Sequence, residues 1–215
     1  MAEPLQERSP SRPSRRRRPD GERSRAAILR EAARLATVEG LDGLSLARLA
    51  DAVGMSKSGL FAHFGSKEEL QLAVMRTAVD RFVGEVVSPA LRQPRGEPRV
   101  RALFERWIAW ENVSYLPGGC PFLAVAGELD DRPGPVRDFV VQAQRDWIDA
   151  LATAARIAVT EGHFRAELDV EQFAYELYSV ILAYHQFQRL LDDPRAEERS
   201  RLSFAHLVER SRIPA

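Results

Sequence analysis

The chain has 215 residues, 45% of them hydrophobic, which is enough for one large or two small domains with a substantial core. Its 31 basic and 31 acidic side chains cancel, so overall charge does not mark a nucleic-acid binder, yet their distribution is uneven: net +3 over residues 1–21, +1 over 22–83 and −4 over 84–215, a gradient suited to presenting one end to a polyanion. A single cysteine, Cys120, excludes an intramolecular disulfide. The start lacks the apolar core of a signal peptide, and no run approaches the roughly 20 apolar residues that span a bilayer, so the expectation is a cytoplasmic protein with no membrane partner.

Residues 1–21 are rich in Pro, Ser and Arg, with a basic cluster at Arg15–Arg18. They hold too little apolar surface to offset ordering entropy and are expected to form a disordered basic arm. Residues 22–39 carry Ile28, Leu29, Ala32, Ala33 and Ala36 at helical spacing and predict a first helix, closed by Gly40. Leu41 and Leu44 are expected to seal the small core that follows. Ser45 can N-cap a short helix bearing Leu46, Leu49, Ala50 and Val53. Gly54 can take the positive φ of a tight turn, and Ser56 can cap a second short helix with Leu60 and Phe64 inside. Two short helices joined by a glycine turn, over residues 45–64, form a helix-turn-helix pattern.

The outer face of the second helix carries Ser56, Lys57, Ser58, Gly59 and His63. Small polar residues let a helix enter a major groove, and a cation there meets phosphate or a guanine edge. Gly59 weakens a helix interior by about 1 kcal/mol relative to Ala, a cost that packing alone does not require. Ser66 predicts a further N-cap, with Glu69 completing a capping box, for a helix from Leu70 towards Val86. The segment from Pro89 to Pro98 is expected to break it and act as a hinge.

Beyond it the pattern is helical throughout: residues 99–115 with Trp107 and Trp110, the interruption LPGGCP, a short helix over 122–129, a long one over 136–161 with Trp147, another over 170–191 capped by Asp169, and a last helix with Pro194 in its first turn. The class expected is therefore all-α. Helix 170–191 is apolar on two sides, which calls for a neighbour on each, one of them a second copy of the chain. Trp107, Trp110, Phe122, Trp147, Tyr178 and His185 are candidates for an effector pocket between helices, although each alone also suits core packing. Cys120 lies in a GGCP turn, where an exposed thiol could sense oxidants or electrophiles. The histidines His63, His163, His185 and His206 form no close pairs, so neither a metal site nor a cofactor is expected.

Residues 22–82 resemble the TetR family of bacterial transcriptional repressors. The likeness rests on Ile28, Leu29, Ala32, Ala33, Ala36, Gly40, Leu44, Ser45, Leu49, Ala50, Val53, Gly54, Ser56, Leu60, Phe61, His63, Phe64, Lys67 and Leu70. It implies a three-helix DNA-binding domain over 22–82 and a larger helical effector-binding and dimerisation domain over 83–215. It also implies a homodimer through the last two long helices, a double-stranded, near-palindromic operator and a small-molecule effector. Ser45, Ser56, Lys57, Ser58, Gly59, Phe61, His63 and Lys67 are the DNA-contact residues so implied. The family usually has Tyr, whose hydroxyl commonly reaches a phosphate, where this chain has Phe61. The alternatives are an all-α enzyme or a helical adaptor that retains a helix-turn-helix-like domain; an enzyme would need a nucleophile and base converging in its cavity.

Overall fold

The computed structural model describes residues 17–214, with side chains from Gly21 onward. Among the described residues there are helices and no strand, only one isolated bridge, between Phe164 and Arg212. No described helix is long and apolar enough to cross a membrane.

Helix α1 (Arg17–Gly43) is bent at Gly40, whose φ of 75° takes the chain out of helical geometry before a final turn. Most of the basic arm expected over residues 1–21 lies outside the described residues, but from Arg17 the backbone is already helical, earlier than expected. Pro19 falls in the first turn, where its missing N–H costs no helical bond. Helices α2 (Leu46–Ala52) and α3 (Lys57–Phe64) are joined through Gly54 at φ 66°. Both start as their caps dictate: the Ser45 hydroxyl accepts from Arg48 N at 3.1 Å and the Ser56 hydroxyl from Gly59 N at 3.1 Å. Leu41, Leu44, Leu49, Leu60 and Leu70 are buried together with Ile28, closing a small core against α1 and α4 (Lys67–Phe82). Ser66 caps α4 by accepting from Glu69 N at 3.0 Å.

Helix α4 does not stop near Pro89. It runs through a widened π turn, Val83–Val87, into α5 (Ser88–Leu91), with Pro89 inside this last segment. Ser88 N–H reaches back to Val83 O, five residues away. A proline removes one backbone donor, and the wider turn just before it lets the helix continue. The break falls after it, at Arg92–Gly96.

The second half comprises α6 (Glu97–Glu111), two single turns, α7 (Pro121–Ala124) and α8 (Ala126–Leu129), then α9 (Pro135–Thr160), α10 (Val170–Arg189) and α11 (Ala196–Ser211). Pro194 stands just ahead of α11 rather than within it. Asp169 caps α10 through Gln172 N at 2.9 Å. Helix α10 packs between α9 and α11, and α9 also packs on α4 and α6. Aromatic side chains fill the seams: Phe104 stacks on Phe204 at 4.1 Å, and Phe164 lies 5.5 Å from Phe173.

Candidate functional site

Two places combine exposed or open geometry with chemistry: the outer face of α3 and a cavity in the second half.

On α3, Ser56, Lys57, Ser58, Phe61 and Ala62 are exposed, while Leu60 and Phe64 point inward. Phe61 is 49% exposed, a large apolar ring on an otherwise polar face. Gly59 and His63 are half-buried rather than fully outward. A Cβ on Gly59 would meet the Ser56 hydroxyl at 3.1 Å, so glycine keeps the cap close. His63 is held from behind, since Arg25 donates to its carbonyl at 2.5 Å and lays its guanidinium 4.3 Å over the Phe64 ring. Ser45, exposed, opens α2 beside this face. Lys67 is exposed at the start of α4, and its ammonium donates to Asp42 O at 2.7 Å, leaving two N–H donors.

The cavity, of about 300 Å³, lies between α4, α6, α7, α9 and α10. Helix α4 and the π turn contribute Val79, Phe82, Val83 and Val87. Trp107, Cys120, Phe122 and Leu123 form a second wall. Helix α9 supplies Phe139, Gln142, Gln144, Asp146 and Trp147, and α10 supplies Tyr178 and Ile181. The rings interlock: Phe82 meets Trp147 edge-on at 4.9 Å and Phe122 at 6.1 Å. Tyr178 donates to Gln144 Oε1 at 2.5 Å, and burial pushes its phenol up to about 12.

Four of the six expected pocket residues, Trp107, Phe122, Trp147 and Tyr178, line this space. Trp110 does not; one turn on from Trp107 it rotates behind Phe82, 5.6 Å away edge-on. His185 does not either. It sits about one turn beyond Ile181, where its Nδ1 lies 2.8 Å from Glu111 Oε1. Cys120 is not the exposed thiol its turn suggested; it is 3% exposed. Burial, then the Glu111 carboxylate, push the thiol up to about 12, so it stays protonated near neutrality and is a poor nucleophile.

The turn folds inward because Glu111, fully buried, organises it. Its carboxylate accepts from Cys120 N at 2.8 Å and from Arg189 Nε at 3.2 Å. Arg189 in turn donates to the carbonyls of Glu111 and Pro117, both at 2.6 Å. A Cβ on Gly119 would lie 2.1 Å from Glu111 Oε1, so only glycine fits there.

This turn and α8 rest on the helix-turn-helix half. Gly118 N–H donates to Thr37 Oγ1 at 3.1 Å, and Asp42 N–H to Glu128 Oε2 at 3.0 Å. Arg132 is ion-paired with Asp42. Burial pushes the Glu128 carboxyl up, with the Leu41 N–H and the Lys67 ammonium pulling the other way. None of these cross-contacts was legible in the sequence, because each joins residues more than 60 positions apart.

Among the described residues, a capped helix-turn-helix at one end and a cavity-bearing helical bundle at the other define a class by architecture: an all-α helix-turn-helix domain followed by a helical domain. Comparison with known proteins identifies which. Residues 28–74 match the model of bacterial regulatory proteins of the tetR family, and residues 96–204 match the tetracyclin repressor-like C-terminal domain. The chain belongs to the TetR family of DNA-binding transcriptional regulators. It is 43% identical over 65 residues to the HTH-type transcriptional repressor AcnR of Corynebacterium glutamicum, a match covering 30% of this chain and 34% of that protein. A TetR transcriptional regulator from Chloroflexus aurantiacus superposes with a TM-score of 0.79 at 24% identity, covering 89% of this chain and 95% of the other. AibR, solved with isovaleryl coenzyme A and operator DNA, superposes with a TM-score of 0.69 at 24% identity, covering 87% and 98%.

Proposed function

We propose that this regulator is a repressor that holds a near-palindromic operator as a homodimer and is released from it when a small molecule fills the cavity. In this reading residues 22–82 are the DNA-binding unit and residues 83–215 the effector and dimerisation unit. Ser45, Ser56, Lys57, Ser58, Gly59, Phe61, His63 and Lys67 form the DNA-facing surface, with Lys57 at the bases or adjacent phosphates. The observation that carries the reading is that α4 serves both sites. Its first residue, Lys67, lies three positions after Phe64, the end of α3, while Val79, Phe82, Val83 and Val87 of the same rod wall the cavity. A ligand that displaces Phe82 tilts the rod that positions the reading helix. AibR, a protein of this fold, was solved with isovaleryl coenzyme A and operator DNA, which supports a reading with one small-molecule site and one DNA site in such a chain.

The dimer would use α10 and α11. Tyr175, Leu182 and Leu190 form an exposed apolar stripe on the side of α10 opposite Phe173, Leu177 and Tyr184, and Leu202 continues it on α11. The test is operator titration with and without a cavity ligand. Coupling of this kind is worth about 1–3 kcal/mol, roughly a 5–150-fold loss of operator affinity. A ligand that fills the cavity and leaves operator affinity unchanged overturns the release mechanism.

A further inference from the structure

The cavity wall is charge-poor in a specific way. Among the described residues lining it there is no Lys, Arg or His. Its one carboxylate, Asp146, sits exposed at the rim, where Gln142 Nε2 donates to it at 2.7 Å. An anion entering this space would shed its hydration with no counter-charge to replace it, which is heavily penalised.

The polar groups deeper in the wall are spare in one sense only. The Tyr178 hydroxyl proton is committed to Gln144 Oε1. The Gln144 amide NH₂ reaches only the Phe122 carbonyl, at 3.5 Å, the limit of a hydrogen bond. The Trp147 indole N–H is buried in the same wall with no acceptor. The wall therefore has more donors than partners for them. A cation would find aromatic faces, but also uncompensated N–H dipoles of the wrong sign. Tyr178 and Cys120 are both held neutral by burial.

We propose that the ligand is an uncharged, largely aromatic molecule bearing one carbonyl oxygen, with the rings of Phe82, Phe122 and Trp147 around its body and the Gln144 amide N–H donating to its oxygen. This rests on the reading of the cavity as the effector site. At about 300 Å³ the space is at the small end of ligand pockets, which suits a molecule of one or two fused rings.

The experiment uses the full chain and four probes of matched shape in calorimetry: naphthyl methyl ketone, ethylnaphthalene, naphthoate and naphthyltrimethylammonium. The ketone is expected to bind tightest and naphthoate at least tenfold more weakly. Gln144→Met should lower ketone affinity about fivefold, the worth of one hydrogen bond, and leave ethylnaphthalene unchanged. Retained ethylnaphthalene binding shows that the variant is folded. Naphthoate or the ammonium compound binding as tightly as the ketone overturns the proposal. So does ketone binding that ignores Gln144→Met, or the absence of binding by all four. Operator affinity measured in the same samples separates the two readings: a ketone that binds as described without weakening the operator complex supports this ligand class and sinks the release mechanism.

Discussion

Gly118 lies against Thr37 so closely that a Cβ on it would stand 1.7 Å from the Thr37 carbonyl oxygen, and its N–H donates to the Thr37 hydroxyl at 3.1 Å. The contact joins the turn beside the cavity to α1, the backbone of the helix-turn-helix half. Gly118→Ala would have to push backbone against backbone. It is expected to cost about 3 kcal/mol in denaturant unfolding, the upper range for overpacking. Thr37→Val removes both hydrogen bonds of the hydroxyl, the one it accepts from Gly118 N–H and the one it donates to Arg34 O at 2.9 Å, and is expected to cost about 1–2 kcal/mol. If this seam carries part of the coupling, Thr37→Val also shrinks the ligand-induced loss of operator affinity. Unchanged coupling in that variant would assign the whole effect to α4.

Glu111 is the group on which the 116–120 turn depends. A fully buried carboxylate with Cys120 N, His185 and Arg189 around it is costly to remove, because the partners stay buried without it. Glu111→Ala is expected to lose about 3 kcal/mol of stability in urea titration. A loss under 1 kcal/mol would mean that the turn holds its shape without the carboxylate.

The elements that formed where the sequence placed them are those with local determinants. Ser45, Ser56, Ser66 and Asp169 cap helices because a cap needs only a side-chain oxygen and an N–H three residues on. Gly54 and Gly162 end helices, and Gly40 bends α1, at positive φ for an equally local reason. The pocket was half legible. Apolar rings at helical spacing show that a face is buried, not what it is buried against, so Trp107 and Trp110 could not be told apart. Gln144, Phe82 and the π turn escaped notice because a glutamine in a polar run and a phenylalanine in a core stripe carry no signal of their own. Pro89 misled because proline is tolerated when a widened turn precedes it.

The recognition face makes a paired prediction. Lys57→Ala should weaken DNA binding and flatten its salt slope by about one unit, as expected for a side chain meeting one phosphate. Phe61, half exposed, has a ring but no hydroxyl. Phe61→Tyr should strengthen binding to operator and to unrelated DNA alike, by about 1 kcal/mol. A gain confined to the operator would place that hydroxyl at a base edge instead.

Cys120 should be silent in native protein. With its thiol pushed up to about 12, the fraction ionised at pH 8 is negligible, and burial shuts out reagents. Labelling by a disulfide-exchange reagent at pH 8 should therefore wait for unfolding and follow the denaturation curve. Fast stoichiometric labelling of the folded chain would contradict both the burial and the shift.

The apolar stripe on α10 makes the last prediction. Tyr175, Leu182 and Leu190 fall within one side of the helix, with Leu182 43% and Leu190 70% exposed in the single chain. A two-fold axis would use the stripe twice, and one crossing it at its middle would bring Leu182 near its own copy, so one substitution is felt twice. Leu182→Glu places two carboxylates in one apolar seam. Like-charge juxtaposition there costs about 3 kcal/mol or more, roughly a hundredfold in the dimer dissociation constant. Sedimentation at micromolar concentration should show monomer, with helical content unchanged because the stripe lies away from the core. Operator binding should then fail for a geometric reason. A single reading helix cannot span two half-sites about 34–36 Å apart, whereas weak binding to one half-site should survive. A Leu182→Glu protein that stays dimeric would move the interface off α10. One that is monomeric yet binds the full operator as before would remove the need for a palindrome.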